Sequence, residues 1–207
     1  MTRTIPLFIG VLCFIGFVLI AISYQSRLII QLDEWLIQHI QHLESNGLTD
    51  FMKFFSFIGS GPMVAVVAIA VIPLLFFFKH RIEIIIFIVT VSGTALLNTL
   101  LKLLFQRTRP VIHPIIVETG YSFPSGHSMG AFTLYGTLTL LLWRNIPSRS
   151  GRALLVGFSL FMILCIGLSR VYLGVHYPSD VIGAYLVSGT CLIVIIVLLH
   201  SQWMLYR

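Results

Sequence analysis

Four side chains able to do chemistry fall within twelve residues of an otherwise apolar chain: Ser169, Arg170, His176 and Asp180, in the stretch SRVYLGVHYPSD. Ionisable groups are costly in or beside a bilayer, so a gathering of them in such a chain points to a function. His176 and Asp180 are four residues apart. At that spacing on a helical segment a carboxylate can meet an imidazole and orient it. Arg170 beside them supplies positive charge for an anion.

Two further stretches carry the other unusual polar residues. Lys102 stands about one turn before the end of an apolar segment, and Arg109 follows it seven residues later. Pro110 draws Arg109 out of helical geometry. Phe123-Pro124-Ser125-Gly126-His127 then opens the next apolar segment. Proline suits a first helical turn, and glycine lets a ligand approach the backbone. The N–H groups and dipole of a helix start favour an anion, to which the Ser125 hydroxyl adds a donor.

Taken singly, each feature has a plain reading. Lys102 and Arg170 can be cations snorkelling to an interface, Ser125 a helix cap, and Asp180 a carboxylate that complements a helix dipole. Together, Lys102, Arg109, Arg170, Ser125 and the Gly126 amide make an anion cradle, and two histidines and an aspartate (His127, His176 and Asp180) add a nucleophile, an acid and an orienter. Such a cradle suits a phosphoryl group with charge spread over its equatorial oxygens. A metal site is not expected. The single carboxylate is better placed to orient His176, and the surrounding cations repel a divalent ion. No cofactor is implied.

The elements that must position these residues are membrane helices. The chain has 207 residues, of which 57% are hydrophobic and only 10% charged. A soluble domain carries roughly 25% charged residues. Its length suits one domain, residues 1–207. The net charge of +6 gathers in no basic block, so nucleic acid is not an expected partner. Cys13, Cys165 and Cys191 lie in apolar runs, without disulfide or metal spacing, and read as packing residues.

Six apolar segments approach the ~20 residues that a bilayer core requires: Pro6–Tyr24, Phe54–Phe78, Ile82–Phe105, Ser125–Trp143, Arg152–Leu168 and Pro178–Leu199. The predicted fold is all-α, a six-transmembrane-helix bundle. The first segment shares Arg3, an apolar run and Ala21-Ile22-Ser23 with a cleavable signal, but the run is long for one and reads as a span. Between the first two spans, Leu28, Leu32, Trp35, Leu36, Ile40 and Leu43 recur at helical spacing among polar residues. That pattern predicts an amphipathic helix on the membrane surface, acting as a packing strut rather than a lid. Gly47, Gly59 and Gly61 punctuate the approach to the second span.

Orientation follows from the basic residues in the loops. Arg3, Lys79, Arg81, Arg144, Arg149, Arg152 and Arg207 fall on one side. Once Lys102, Arg109 and Arg170 are set aside as site residues, the other side keeps Arg27, Lys53 and Arg107. The excess predicts cytoplasmic termini and an outward-facing site. Trp143 and Trp203 fit interfacial anchors.

The polar residues resemble a known signature. Lys102-x6-Arg109-Pro110, Pro124-Ser125-Gly126-His127 and Ser169-Arg170-x5-His176-x3-Asp180 are similar to the tripartite motif of the type-2 phosphatidic acid phosphatase superfamily, over roughly residues 50–200. Eleven positions in the right order make this far more specific than one short motif. The resemblance implies that His176 attacks phosphorus and becomes a phosphohistidine, that Asp180 fixes its tautomer, and that His127 protonates the leaving oxygen. It implies that Lys102, Arg109, Arg170, Ser125 and Gly126 hold the phosphoryl oxygens without a metal. It also implies a multi-pass cell-membrane enzyme that works on a lipid phosphate within the bilayer, with no obligate protein partner. Phosphatidylglycerophosphate and undecaprenyl pyrophosphate are the expected substrates, with phosphatidate or another lipid phosphate as alternatives. Two other readings stay open: a vanadium-dependent haloperoxidase, which the membrane spans disfavour, and a non-catalytic lipid-phosphate transporter.

Overall fold

The computed structural model describes residues 4–77 and 81–205, and every regular element among them is helical. In chain order these are α1 (Thr4–Ser23), α2 (Arg27–Gln41), α3 (Asn46–Ile58), α4 (Gly61–Phe77), α5 (Arg81–Phe105), α6 (Gly126–Leu142), a 3-10 turn (Trp143–Asn145), α7 (Arg149–Tyr172) and α8 (Pro178–Leu205). Arg3, Phe78, Lys79 and Arg207, used in the sequence reading, lie outside the described residues, as does the side chain of Trp203.

Among the described residues, α1, α5, α7 and α8 are long and apolar enough to cross a membrane. α3 and α4 add a fifth crossing if the bent pair counts as one span. α6 has 17 residues. The continuous second span expected from Phe54 is therefore corrected to two helices meeting at 57° around Gly59 and Ser60. Gly59 fits the junction. A Cβ at this position would lie 2.4 Å from Ile166 Cγ2 of α7 and 3.4 Å from His127 Cδ2 of α6. Only a residue without a side chain lets α3 end this close to both helices.

α6 is the central post, packed by α5, α7 and α8; α1 runs along α8, and α3 along α7. Burial all round α6, from Met129 and Ala131 to Leu134 and Leu141, fits that position. The bundle inverts the pattern of a soluble protein. Thr90, Thr94, Thr133, Thr137, Ser159 and Ser188 are buried, while Phe8, Ile85, Val89, Leu104, Leu154 and Phe158 face outward. A lipid-exposed bundle is expected to show this, since small polar residues pack between membrane helices. The chain is a multi-pass membrane protein.

α2 forms where the amphipathic pattern predicts a helix, with Ser26 as its N-cap. The face it buries is not the apolar one. Asp33, Ile37 and Gln41 are buried against α7 and α8, whereas Leu28, Leu32, Trp35 and Leu43 are exposed. The Gln41 side-chain amide donates to the backbone carbonyls of His113 and Tyr172 at 2.7 and 3.0 Å, tying α2 to the α5–α6 loop and to the end of α7. α2 is thus docked on the bundle through polar side chains.

Candidate active site

The three polar stretches converge at one end of the bundle, stapled by backbone hydrogen bonds. The Ser125 amide donates to the Asp180 carbonyl at 3.2 Å, joining the start of α6 to the start of α8. The Ser122 amide donates to the Arg107 carbonyl at 2.7 Å, closing the α5–α6 loop. Gly174, at φ +72, turns the chain between α7 and α8, and a Cβ there would lie 2.4 Å from the His113 carbonyl oxygen. Only glycine suits both the left-handed backbone and this close approach. The turn delivers His176.

His176 is almost fully buried between two partners. Arg109 Nη1 lies 3.1 Å from Nε2, and Asp180 Oδ2 lies 3.3 Å from Nδ1. A guanidinium can only donate, so Nε2 accepts, and the ring proton sits on Nδ1, facing Asp180. Burial pushes the His176 pKa down to about 4, against the hydrogen bond and negative charge of Asp180 and with help from Arg109 and Arg170. At neutral pH the ring is uncharged, with a lone pair on Nε2.

Asp180 accepts from four donors. Oδ2 accepts from His176, from the Ser122 hydroxyl and from the Tyr177 amide at 2.9 Å, while Oδ1 accepts from Arg107 at 2.6 Å. Arg107 is where the sequence reading needs correction. It was counted as a loop charge marking the outer side, but its side chain is 6% exposed and paired with both Asp180 and Asp33. Ser122 and Asp33 were missed with it.

Arg109 is anchored by three backbone carbonyls, those of Gly120, Val175 and Thr119, at 3.1, 2.8 and 3.0 Å. Arg170, 1% exposed, donates to Ser56 on α3 and, at 2.6 Å, to the Glu118 carboxylate. Its buried Nε–H finds no hydrogen-bond partner among the described residues. Lys102 and His127 both lie within electrostatic reach of Arg109 and Arg170, and His127 also of His176. The predicted cations and both histidines therefore share one neighbourhood.

Glu118 was not anticipated. Burial opposes its charge, but Arg170 beside it, with Arg109 and His176, holds its carboxyl below the usual carboxylate range. It is the anion that Arg170 holds in this structure. The start of α6 also differs in detail from the expectation. Pro124 precedes the helix rather than opening it, and Ser125 is the N-cap, fully buried. Ser125 Oγ accepts from the Ser128 amide and from the Ser128 hydroxyl at 2.9 Å, which leaves its own hydrogen free of both contacts. Asn98, one turn before Lys102 on α5, donates to the Pro124 carbonyl at 3.1 Å. A Cβ on Gly126 would lie 3.0 Å from the Asn98 side-chain oxygen, so glycine lets Asn98 of α5 pack closely against the start of α6. Of these missed residues, only Arg107 carried a sequence signal, as an arginine two positions before Arg109.

Beside His127, a cavity of about 580 Å³ opens between α4, α5 and α6. Val64, Ala68, Ile72, Phe87 and Val91 line its apolar part, and Gly126 and His127 its end at the site.

A helical membrane bundle with a buried imidazole–carboxylate pair inside a ring of cations defines a class that the comparisons identify. Residues 83–204 match the family model of the PAP2 superfamily, and the chain belongs to that family. It is 27% identical over 173 residues to phosphatidylglycerophosphatase B of Bacillus subtilis (strain 168), covering 83% of this chain and 85% of that protein. It is 40% identical over 80 residues to phosphatidylglycerophosphatase B of Haemophilus influenzae, of whose length the match spans 32%. Its fold is similar to the crystal structure of a transmembrane PAP2 type phosphatidylglycerolphosphate phosphatase from Bacillus subtilis, with a TM-score of 0.85 at 24% identity over 90% of this chain and 93% of that one.

Proposed function

We propose that this chain is a metal-independent lipid phosphate phosphatase, acting on phosphatidylglycerophosphate as its first-choice substrate and undecaprenyl pyrophosphate as its second, through a phosphohistidine on His176. The observation that carries the reading is the state of His176: neutral, with its proton on the Asp180 side and its Nε2 lone pair beside Arg109. The similarity to phosphatidylglycerophosphatase B proteins supports the first choice of substrate.

In the proposed reaction the Nε2 lone pair attacks phosphorus and the P–O bond to the lipid alcohol breaks. His127 gives that oxygen its proton, and the phosphoryl group remains on Nε2. Water then attacks phosphorus, His127 takes its proton, the P–N bond breaks with its electrons returning to Nε2, and inorganic phosphate leaves. Arg109, Lys102 and the unengaged Nε–H of Arg170 hold the equatorial oxygens, with the Ser125 hydroxyl and the Gly126 amide. Uncatalysed phosphate monoester hydrolysis is slow enough for accelerations of about 10²¹, whereas one general acid supplies about 10²–10⁴. Fixed positive charge and a covalent step must provide the rest.

The cavity supports a lipid substrate. Its apolar walls between α4, α5 and α6 can take acyl or prenyl chains while the phosphate reaches His127 at its end. In this reading α6, though only 17 residues long, is a sixth crossing. The arginines at the far end, Arg144, Arg149 and Arg152, then face the cytoplasm with both termini, and the site opens at the outer face. α2 lies in the outer interface, its exposed leucines toward lipid. No protein partner is required.

Phosphate release from a panel of lipid phosphates, by wild type and His176→Ala with chelator present, tests the proposal. Activity on phosphatidylglycerophosphate, lost on substitution and indifferent to chelator, supports it. Wild-type protein that binds lipid phosphates yet releases no phosphate would favour a transporter, a reading to which the broken α3–α4 pair lends its one structural argument.

A further inference from the structure

Arg107 gathers more of the molecule than any residue of the predicted cradle. Its Nη1 donates to Asp180 Oδ1 at 2.6 Å and to Ser179 Oγ at 2.7 Å, and its Nη2 donates to Asp33 Oδ2 at 2.9 Å. Its guanidinium lies 4.0 Å from the centroid of the Tyr177 ring and 5.1 Å from that of Tyr24. Asp33, on α2, accepts in addition from the Ser179 amide at 2.9 Å and from the Ser179 hydroxyl at 2.5 Å. The side chains of Asp33, Arg107 and Asp180 are 3%, 6% and 0% exposed. A buried charge triad is a poor source of stability, because desolvation of the ions offsets most of their attraction. Its position suggests another use. One of its carboxylates is the partner of the imidazole at the centre of the site.

We propose that Arg107 and Asp33 are positioning residues for phosphoryl transfer: Arg107 clamps Asp180 in the orientation that holds the Nδ1–H of His176, and Asp33 clamps Arg107. The role rests on the reading of His176 as nucleophile. It gives α2 a purpose beyond packing, because this helix outside the central bundle carries the last member of a four-residue chain, Asp33–Arg107–Asp180–His176. Arg107 also balances charge. It offsets part of the Asp180 charge that His176 feels, and Asp33 in turn offsets part of the charge of Arg107.

The two residues therefore act on His176 with opposite sign. Removing the positive charge of Arg107 leaves Asp180 more negative toward the ring and favours imidazolium. Removing the negative charge of Asp33 does the reverse. The other groups around the ring are unchanged in such variants: Arg109 and Glu118 from the α5–α6 loop, Arg170 from α7 and His127 from α6, with Lys102 from α5 acting on Asp180.

The test is the pH profile of phosphate release from phosphatidylglycerophosphate in detergent micelles, for full-length wild type, Arg107→Gln, Arg107→Lys, Asp33→Asn and His176→Gln. Arg107→Gln is expected to lower kcat on the order of 100-fold by loosening the dyad, with KM changed less than kcat. Its acid limb in kcat/KM moves up by about one pH unit. Asp33→Asn, which is isosteric and keeps an oxygen for Ser179, moves that limb to lower pH. Arg107→Lys keeps the charge without the fork, so it leaves the limb near wild type while kcat falls. A purely structural role would lower the amount of active enzyme and leave every profile superimposed on wild type. That outcome in the soluble, active variants would overturn the proposal. If instead wild type is inactive, or His176→Gln retains full activity, it is the phosphatase reading that fails.

Discussion

Replacing Asp180 by asparagine exposes the logic of the site in one atom. The carboxylate faces four donors: His176 Nδ1–H at 3.3 Å, the Tyr177 amide at 2.9 Å, the Ser122 hydroxyl, and Arg107 at 2.6 Å. An asparagine has one oxygen and one NH2 group, and neither orientation fits. With NH2 toward Arg107, donor meets donor, and the arginine is left with Ser179 and Asp33 alone in a dry interior. With NH2 toward His176, the ring must accept at Nδ1, so its proton moves to Nε2. The lone pair beside Arg109 is then lost. A swap of this kind in an analogous histidine–carboxylate pair lowers kcat by about 10⁴, equivalent to about 5.4 kcal/mol at 1.36 kcal/mol per tenfold. The assay is kcat for phosphate release at saturating lipid phosphate, with helical content checked by circular dichroism. A folded Asp180→Asn protein that keeps more than about a tenth of wild-type kcat would refute the tautomer argument, since an ineffective orienter costs far more than tenfold.

Other outcomes follow from the same geometry. The active form of His176 is neutral and its pKa lies near 4, so the acid limb of kcat/KM should fall through about 4 as the ring gains a proton; an acid limb at the ordinary imidazole value would contradict the burial argument. Glu118 competes with phosphate for Arg170, so Glu118→Gln should lower the inhibition constant of inorganic phosphate about tenfold, on the order of one lost charge-assisted contact, measured by product inhibition. Gly174→Ala must strain a left-handed turn against the His113 carbonyl, and should reduce activity strongly while the conservative surface change Gly47→Ala, with open space at its Cβ, does not.

The contrast between what could be read from sequence and what could not has a physical origin. His176 and Asp180 were legible because their closeness in sequence lets them meet, although His176 stands in the turn before α8 and only Asp180 is on the helix; Lys102, Arg109, Arg170 and His127 were legible because charge is conspicuous in an apolar chain. Asp33 was not legible. In a soluble helix its place among polar residues would mark a solvated face. Here the medium outside α2 accommodates Leu28, Leu32 and Trp35, so the polar stripe Asp33–Gln41 turns inward instead. Hydrophobic periodicity finds such a helix but not which face it buries. Arg107 was hidden for a related reason. Two arginines two residues apart in a loop look alike, yet Arg109 contacts the imidazole and Arg107 its carboxylate. The close approach of Gly59 to Ile166, more than a hundred residues away, is reported by no local signal.

The central claim is covalent chemistry at one nitrogen, and it can be measured directly. Labelled phosphatidylglycerophosphate is mixed with a His127→Gln variant, in which release of the phosphoryl group by water is impaired, and the reaction is quenched in alkali to preserve phosphohistidine. Label on the peptide that carries His176, absent when His176 is also replaced, is the predicted result. Continued turnover with no labelled protein, or label on any other side chain, would contradict it.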